Sequence, residues 1–135
     1  MNSKGKILLV DDDPDFLDMH RTMLKNHGYE VFTATGGREG LDRVRTEMPD
    51  AIILDLMMEK HDAGFSFCQK IKTDPLFKKI PILMVMSVTE ATGCRFSQQD
   101  DGYWMKTDDF LDKPVKPEVL LERLDTLLKK RRDAR

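Results

Sequence analysis

The chain has 135 residues, 40% hydrophobic and 34% charged, with 22 Lys and Arg against 24 Asp and Glu for a formal net charge of -2. That length suits one ordinary domain, large enough to bury a single core without disulfide or metal staples. The balanced charge excludes a strongly basic nucleic-acid binder and a polybasic membrane anchor, and no run reaches the roughly 18 apolar residues of a membrane span.

The opening residues lead into only Ile7-Leu8-Leu9-Val10, too short an apolar run for a signal peptide, so a cytoplasmic location is the default expectation. That run reads as a buried parallel strand, and it stops abruptly at Asp11-Asp12-Asp13. Pro14 suits the first position of a helix that Asp13 can cap, and Phe16, Leu17, Met23 and Leu24 recur at helical spacing until Gly28. Glu30 to Ala34 is a second, short strand; Gly36-Gly37 breaks the pattern, and Leu41, Val44 and Met48 mark a helix that stops before Pro49. Ala51-Ile52-Ile53-Leu54 is a third strand ending at Asp55.

Gly64 to about Lys72 makes a third helix with Phe65, Cys68 and Ile71 inward, ended by Asp74-Pro75. Pro81 introduces a fourth buried strand, Ile82 to Met86. Ser87 to Asp108 is irregular, with Gly93, Gly102 and clustered polar residues, and receives no helix boundaries. Phe110-Leu111 is a short fifth strand before Asp112-Lys113-Pro114, and Pro117 opens a last helix with Leu120, Leu121, Leu124, Leu127 and Leu128 on its buried stripe. Apolar strands alternating with amphipathic helices imply a three-layer α/β/α sandwich around a five-stranded parallel sheet.

In such open sheets the site lies outside the carboxyl ends of the strands. That rule selects Asp11-Asp12-Asp13, Asp55, Met86-Ser87 and Lys113. Clustered carboxylates repel, and they persist together only if a cation neutralises them or they titrate upward. A hard divalent ion such as Mg²⁺ takes a few carboxylates, a backbone carbonyl and waters, which Asp11, Asp12 and Asp55 fit. A carboxylate oxygen beside it can attack a phosphoryl group whose charge a lysine helps to disperse. The economical assignment makes Asp11 and Asp12 the metal holders, Asp55 the phosphate acceptor and Lys113 the positive partner.

These residues resemble the receiver domain of two-component response regulators, and the likeness spans nearly the whole chain. Leu8-Leu9-Val10-Asp11-Asp12-Asp13-Pro14 is similar to the acidic opening of receivers, Ile53-Leu54-Asp55-Leu56-Met57-Met58 to the phosphoacceptor strand, and Leu111-Asp112-Lys113-Pro114 to the Lys-Pro close. The resemblance implies a flavodoxin-like, doubly wound (βα)5 fold in residues 1–132, with 133–135 a tail. It implies Mg²⁺ held by Asp11, Asp12, Asp55 and the backbone carbonyl of Met57, phosphorylation of Asp55, a phosphoryl contact from Lys113, a switch aromatic at Phe110 and a cis Lys113-Pro114 bond. The implied partners are a sensor histidine kinase or histidine phosphotransfer protein and an unknown output protein, without direct nucleic acid or membrane. The expected state is a monomer or weak phosphorylation-dependent dimer, free-standing because no effector helix-turn-helix fits after residue 132.

Two features depart from the pattern. Met58 is followed by Glu59 rather than proline, and Gly64 falls nine residues after Asp55, one later than usual. The switch hydroxyl is expected five residues after the proline opening strand four, and that position is Met86. Ser87 is assigned as the switch hydroxyl on condition that a bulge restores register; otherwise Met86 occupies the place. The segment before Lys113 is longer than usual, and its Phe96, Tyr103, Trp104 and Met105 either bind a partner or pack over the core.

Simpler roles stand beside these. Asp13 is a helix N-cap or lies in a second shell around the metal. His61, close to Asp55 in sequence, is a phosphate relay or, more simply, an exposed loop histidine, and His20 and His27 are read as surface residues. Cys68 and Cys94 form no Cys-x-x-Cys and are free thiols, Cys68 as a small core hydrophobe. Lys129-Lys130-Arg131-Arg132 complements the helix dipole rather than nucleic acid. A haloacid-dehalogenase-like phosphatase using Asp11, Asp13, Ser87 and Lys113 is an alternative, but it leaves Asp55 idle and needs a further acidic pair for Mg²⁺ after the lysine, where only 22 residues of linker and final helix follow. A pseudo-receiver that binds partners without phosphate is another. A P-loop enzyme is excluded by the missing Gly-x-x-x-x-Gly-Lys-Ser/Thr.

Overall fold

The apolar run of the first strand forms β1 (Lys6–Val10), whose last four residues are buried on both sides. The computed structural model describes residues 4–55, 61–86, 109–112 and 116–133. In chain order, β1 is followed by α1 (Pro14–Asn26), β2 (Glu30–Ala34), α2 (Gly37–Glu47), β3 (Ala51–Asp55), α3 (His61–Thr73), β4 (Ile82–Met86), β5 (Asp109–Asp112) and α4 (Pro117–Asp133). The five strands form one sheet in the order β2-β1-β3-β4-β5. Every neighbouring pair is parallel.

Residues alternate between the sheet's two faces, and each face has its own core. Leu8, Val10, Ile52, Leu54, Ile82 and Met84 pack with Val44 of α2 and Phe67, Cys68 and Ile71 of α3. Ile7, Leu9, Ile53, Leu83 and Val85 pack with Leu17 and Leu24 of α1 and Leu120, Leu124, Leu127 and Leu128 of α4. Fully burying each such side chain contributes about 1.5–3 kcal/mol, and the two clusters together make three layers.

Local chemistry ends the helices where the chain must turn. Past α1, Gly28 takes a φ of +96°, and Tyr29 N–H reaches back to Leu24 O at 3.1 Å, a turn that favours glycine. Met48 caps α2 in the left-handed region, with its N–H on Val44 O at 3.0 Å, and Pro49 prevents continuation.

Two expectations need correction. The third helix begins at His61 rather than Gly64, so His61 opens a helix instead of lying in a loop. A glycine in a helix costs only about 1 kcal/mol, which the packing of Phe67, Cys68 and Ile71 outweighs. His20 is buried, at 4% exposure, because it lies three residues from Leu17 and four from Leu24 on the inner side of α1. Its Nδ1 donates to Phe16 O at 2.9 Å, and its ring stacks on Phe16 with centroids 4.1 Å apart. Cys68 is buried as expected, and Cys94 lies outside the described residues.

The ladders β3-β4 and β4-β5 run without a slipped residue, from Ile52↔Ile82 to Asp55↔Val85 and from Leu83↔Asp109 to Met86↔Asp112. Gly40 sets how closely α2 lies on this frame. A Cβ there would stand 2.9 Å from Phe67 Cε1 and 3.2 Å from Val10 Cγ2, both buried. Gly40→Ala is therefore expected to destabilise the fold by about 1–3 kcal/mol through overpacking, despite alanine's higher helix propensity, as read by urea unfolding. A gain in stability would show that the Phe67 ring has room to move.

Candidate functional site

Register brings the first two candidates together. Val10 pairs with Leu54, so Asp11 and Asp55 are the next residues along two adjacent strands, at the carboxyl edge. Adjacent strands lie about 4.8 Å apart. Asp55 itself pairs with Val85, and Met86 with Asp112 immediately before Lys113 in the chain. Phe110 lies on β5 opposite Met84. Met57, Ser87 and Lys113 lie outside the described residues.

Asp11 is 1% exposed, whereas Asp12 and Asp13 are exposed. Its N–H donates to Ala34 O at 3.1 Å, tying the end of β1 to the end of β2. Its Oδ1 accepts the Asp13 N–H at 3.0 Å. Burying a carboxylate is costly unless hydrogen bonds or a cation compensate its charge. Asp13 is the N-cap of α1, with Oδ1 accepting Asp15 N–H at 3.0 Å. Among the described residues no group of three His, Cys, Asp or Glu side chains is gathered as a metal cluster. The part of the expected donor set described with side chains, Asp11 and Asp12, consists of hard carboxylate oxygens of the kind Mg²⁺ prefers.

Sequence reasoning missed the brace beside this edge. Glu39 Oε1 accepts Thr35 N–H at 2.8 Å and the Thr35 hydroxyl at 2.9 Å, fixing the turn that follows Ala34. A Glu at the third helical position reaching back past the N-cap is a capping-box pattern, masked in the sequence because Gly36 occupies the cap. The missed contact between the Asp13 amide and Asp11 has a signal too, since Asp side chains readily bond the backbone two residues on.

Residues 7–125 match the response regulator receiver domain. The chain belongs to that family. This receiver is similar to RpaA of Synechocystis sp., a DNA-binding dual master transcriptional regulator, at 34% identity over 93% of this chain and 49% of the relative. It is similar to the response regulator MprA of Mycolicibacterium vanbaalenii at 36% identity over 93% of this chain and 51% of the relative. The chain thus spans about half the length of these curated relatives.

Among solved structures, the chemotaxis response regulator CheY4 of Vibrio cholerae superposes with a TM-score of 0.76 at 33% identity, covering 90% of this chain and 97% of that one. A CheY-like receiver domain protein of Methanospirillum hungatei gives 0.80 at 25% identity, covering 96% and 98%. The receiver has the expected flavodoxin-like fold and is a signalling domain of the two-component type. Among the described residues no helix is long and apolar enough to cross a membrane.

The Thr35 backbone N–H and then the Thr35 hydroxyl hold the Glu39 carboxyl below its ordinary value of 4.5 against the opposing effect of burial, with the nearby Arg43 charge a lesser contribution. A group with a depressed folded pKa stabilises above its unfolded value and loses that contribution as pH falls through the folded one. The stability difference between the wild-type protein and Glu39→Ala is therefore expected to be full at neutral pH and to shrink below about pH 4.5 in acid-series urea melts. A difference that stays constant through the acid range would contradict the brace.

Proposed function

We propose that this receiver accepts a phosphoryl group on Asp55 from a histidine kinase or histidine phosphotransfer protein in a Mg²⁺-dependent reaction. The observation that carries this reading is the shared edge of β1 and β3, where Asp11 and Asp55 follow the same Val10-Leu54 pair within a chain matched to the receiver family. Asp11, Asp12, Asp55 and the Met57 carbonyl would hold Mg²⁺, for which the buried, hydrogen-bonded Asp11 carboxylate is a fitting donor. The ion, when bound, supplies positive charge for the equatorial phosphoryl oxygens.

The remaining chemistry belongs to the chain. An Asp55 carboxylate oxygen forms the bond to phosphorus as the bond from phosphorus to the donor's histidine nitrogen breaks. The leaving imidazole keeps the electron pair and takes up a proton. Lys113 contacts a phosphoryl oxygen and offsets the charge that Asp55 gains. The receiver catalyses only its own phosphorylation and dephosphorylation, and phosphate then biases a two-state equilibrium on a partner-binding face that includes Phe110. The net charge of -2 supports a receiver that does not itself contact nucleic acid.

Intact-protein mass after incubation with an acyl-phosphate donor and Mg²⁺ tests this reading. Wild type should gain one phosphoryl group, and Asp55→Asn or added chelator should abolish the gain. Labelling that survives Asp55→Asn and vanishes in Asp11→Asn would move the nucleophile to β1, as in the phosphatase.

The unbroken β4 ladders favour Met86 over Ser87 at the switch register, because the bulge needed to bring Ser87 into place is absent from residues 82–86. A thioether donates no hydrogen bond to phosphate. Met86→Thr is accordingly expected to speed phosphotransfer by about tenfold, a modest gain for a donor aimed at developing charge. Ser87→Ala should leave the rate unchanged, and a large loss in that variant would return the switch role to Ser87.

A further inference from the structure

Asp13 is fixed from three directions. Its carboxylate Oδ1 accepts Asp15 N–H at 3.0 Å, its carbonyl accepts Leu17 N–H at 3.1 Å, and its own N–H donates to Asp11 Oδ1 at 3.0 Å. The backbone between these bonds is extended, with φ -94° and ψ 108°, as an N-cap requires. The side chain that caps α1 therefore also fixes the amide that orients the buried carboxylate of Asp11.

We infer that Asp13 is a positioning residue for Mg²⁺ binding, acting through its cap on α1 to hold Asp11 in its ligating orientation. This rests on the metal site proposed above. The physical reason is competition for acceptors. The first turn of a helix leaves backbone N–H groups that need a partner; Asp15 already lies within that turn, and the anionic acceptors that precede it without the Asp13 carboxylate are Asp11 and Asp12. Recruiting either as a cap withdraws a metal ligand. Loss of the cap also frees the Asp13 backbone, and with it the N–H on Asp11 Oδ1. Asp13 is exposed, so its charge is screened by solvent and salt, and geometry is its main contribution.

Isothermal titration of the whole chain with Mg²⁺ alone, at fixed pH and ionic strength, separates capping from charge. Asp13→Ala should weaken Mg²⁺ binding by about tenfold, the lower end of what outer-shell partners contribute. Asp13→Asn keeps the capping oxygen without the charge, and it should stay close to wild type. Asp13→Gly guards against misfolding, because glycine is tolerated at an N-cap with little loss of helix stability. It lacks the side-chain acceptor and should weaken binding as alanine does.

Wild-type affinity in Asp13→Ala and Asp13→Gly, or equal weakening in Asp13→Asn, overturns the inference. Asp11→Asn supplies the reference for the metal site itself. If it abolishes a wild-type signal while the Asp13 variants bind normally, only the positioning role fails. No Mg²⁺ signal in wild type overturns both the metal site and the role of Asp13.

Discussion

Each strand of this sheet satisfies its backbone groups through parallel neighbours, and a parallel neighbour is reached only by a crossover long enough to hold a helix. The uninterrupted ladders from β2 to β5 therefore dictate both the layers and the position of the chemistry. Helices must cover both faces, which is why Ile7 to Val10 carry no polar residue on either side. All strands end at one edge, and β1 and β3 deliver an aspartate there from the same register position.

Within that edge, burial and exposure divide three consecutive aspartates into different roles. Asp11 continues the buried line of β1 and keeps its carboxylate in a dry environment, where electrostatic interactions are strongest. Asp13 has left the sheet and serves the helix as its cap. Asp12 lies between them, exposed, where a second carboxylate can meet a hydrated cation. The Thr35–Glu39 brace supports the same edge from β2, since the residue before Thr35 accepts the Asp11 N–H. Backbone-directed hydrogen bonds thus hold the described part of the acidic edge, and the exposed ion pairs Arg21–Asp18 on α1 and Arg45–Asp42 on α2 contribute little.

Much of this was legible in the sequence. Continuous apolar runs gave the strands because a strand buried on both faces has no polar side, and the leucine stripe of α4 gave its inner face. Gly64 misled as a helix start because local propensity is weaker than the packing of the residues that follow it. His20 misled because its type suggests surface, whereas the Leu17-Leu24 spacing of its own helix places it inside. Asp13 was read as a cap, but its amide contact with Asp11 required knowing how the chain leaves β1.

The sequence by itself determined which residue types fall at the carboxyl ends of the strands, since strand composition and helix punctuation are local properties. It determined the family as well, because the acidic opening, Asp55 and Lys113 stand at characteristic separations. Only the tertiary structure decided that Asp11 and Asp55 occupy matching positions, that Asp11 is the buried member of its triplet, and that β4 reaches Met86 without a bulge. Those facts depend on register between strands far apart in the chain, and a shift of one residue would reverse the face of every side chain while leaving the local pattern intact.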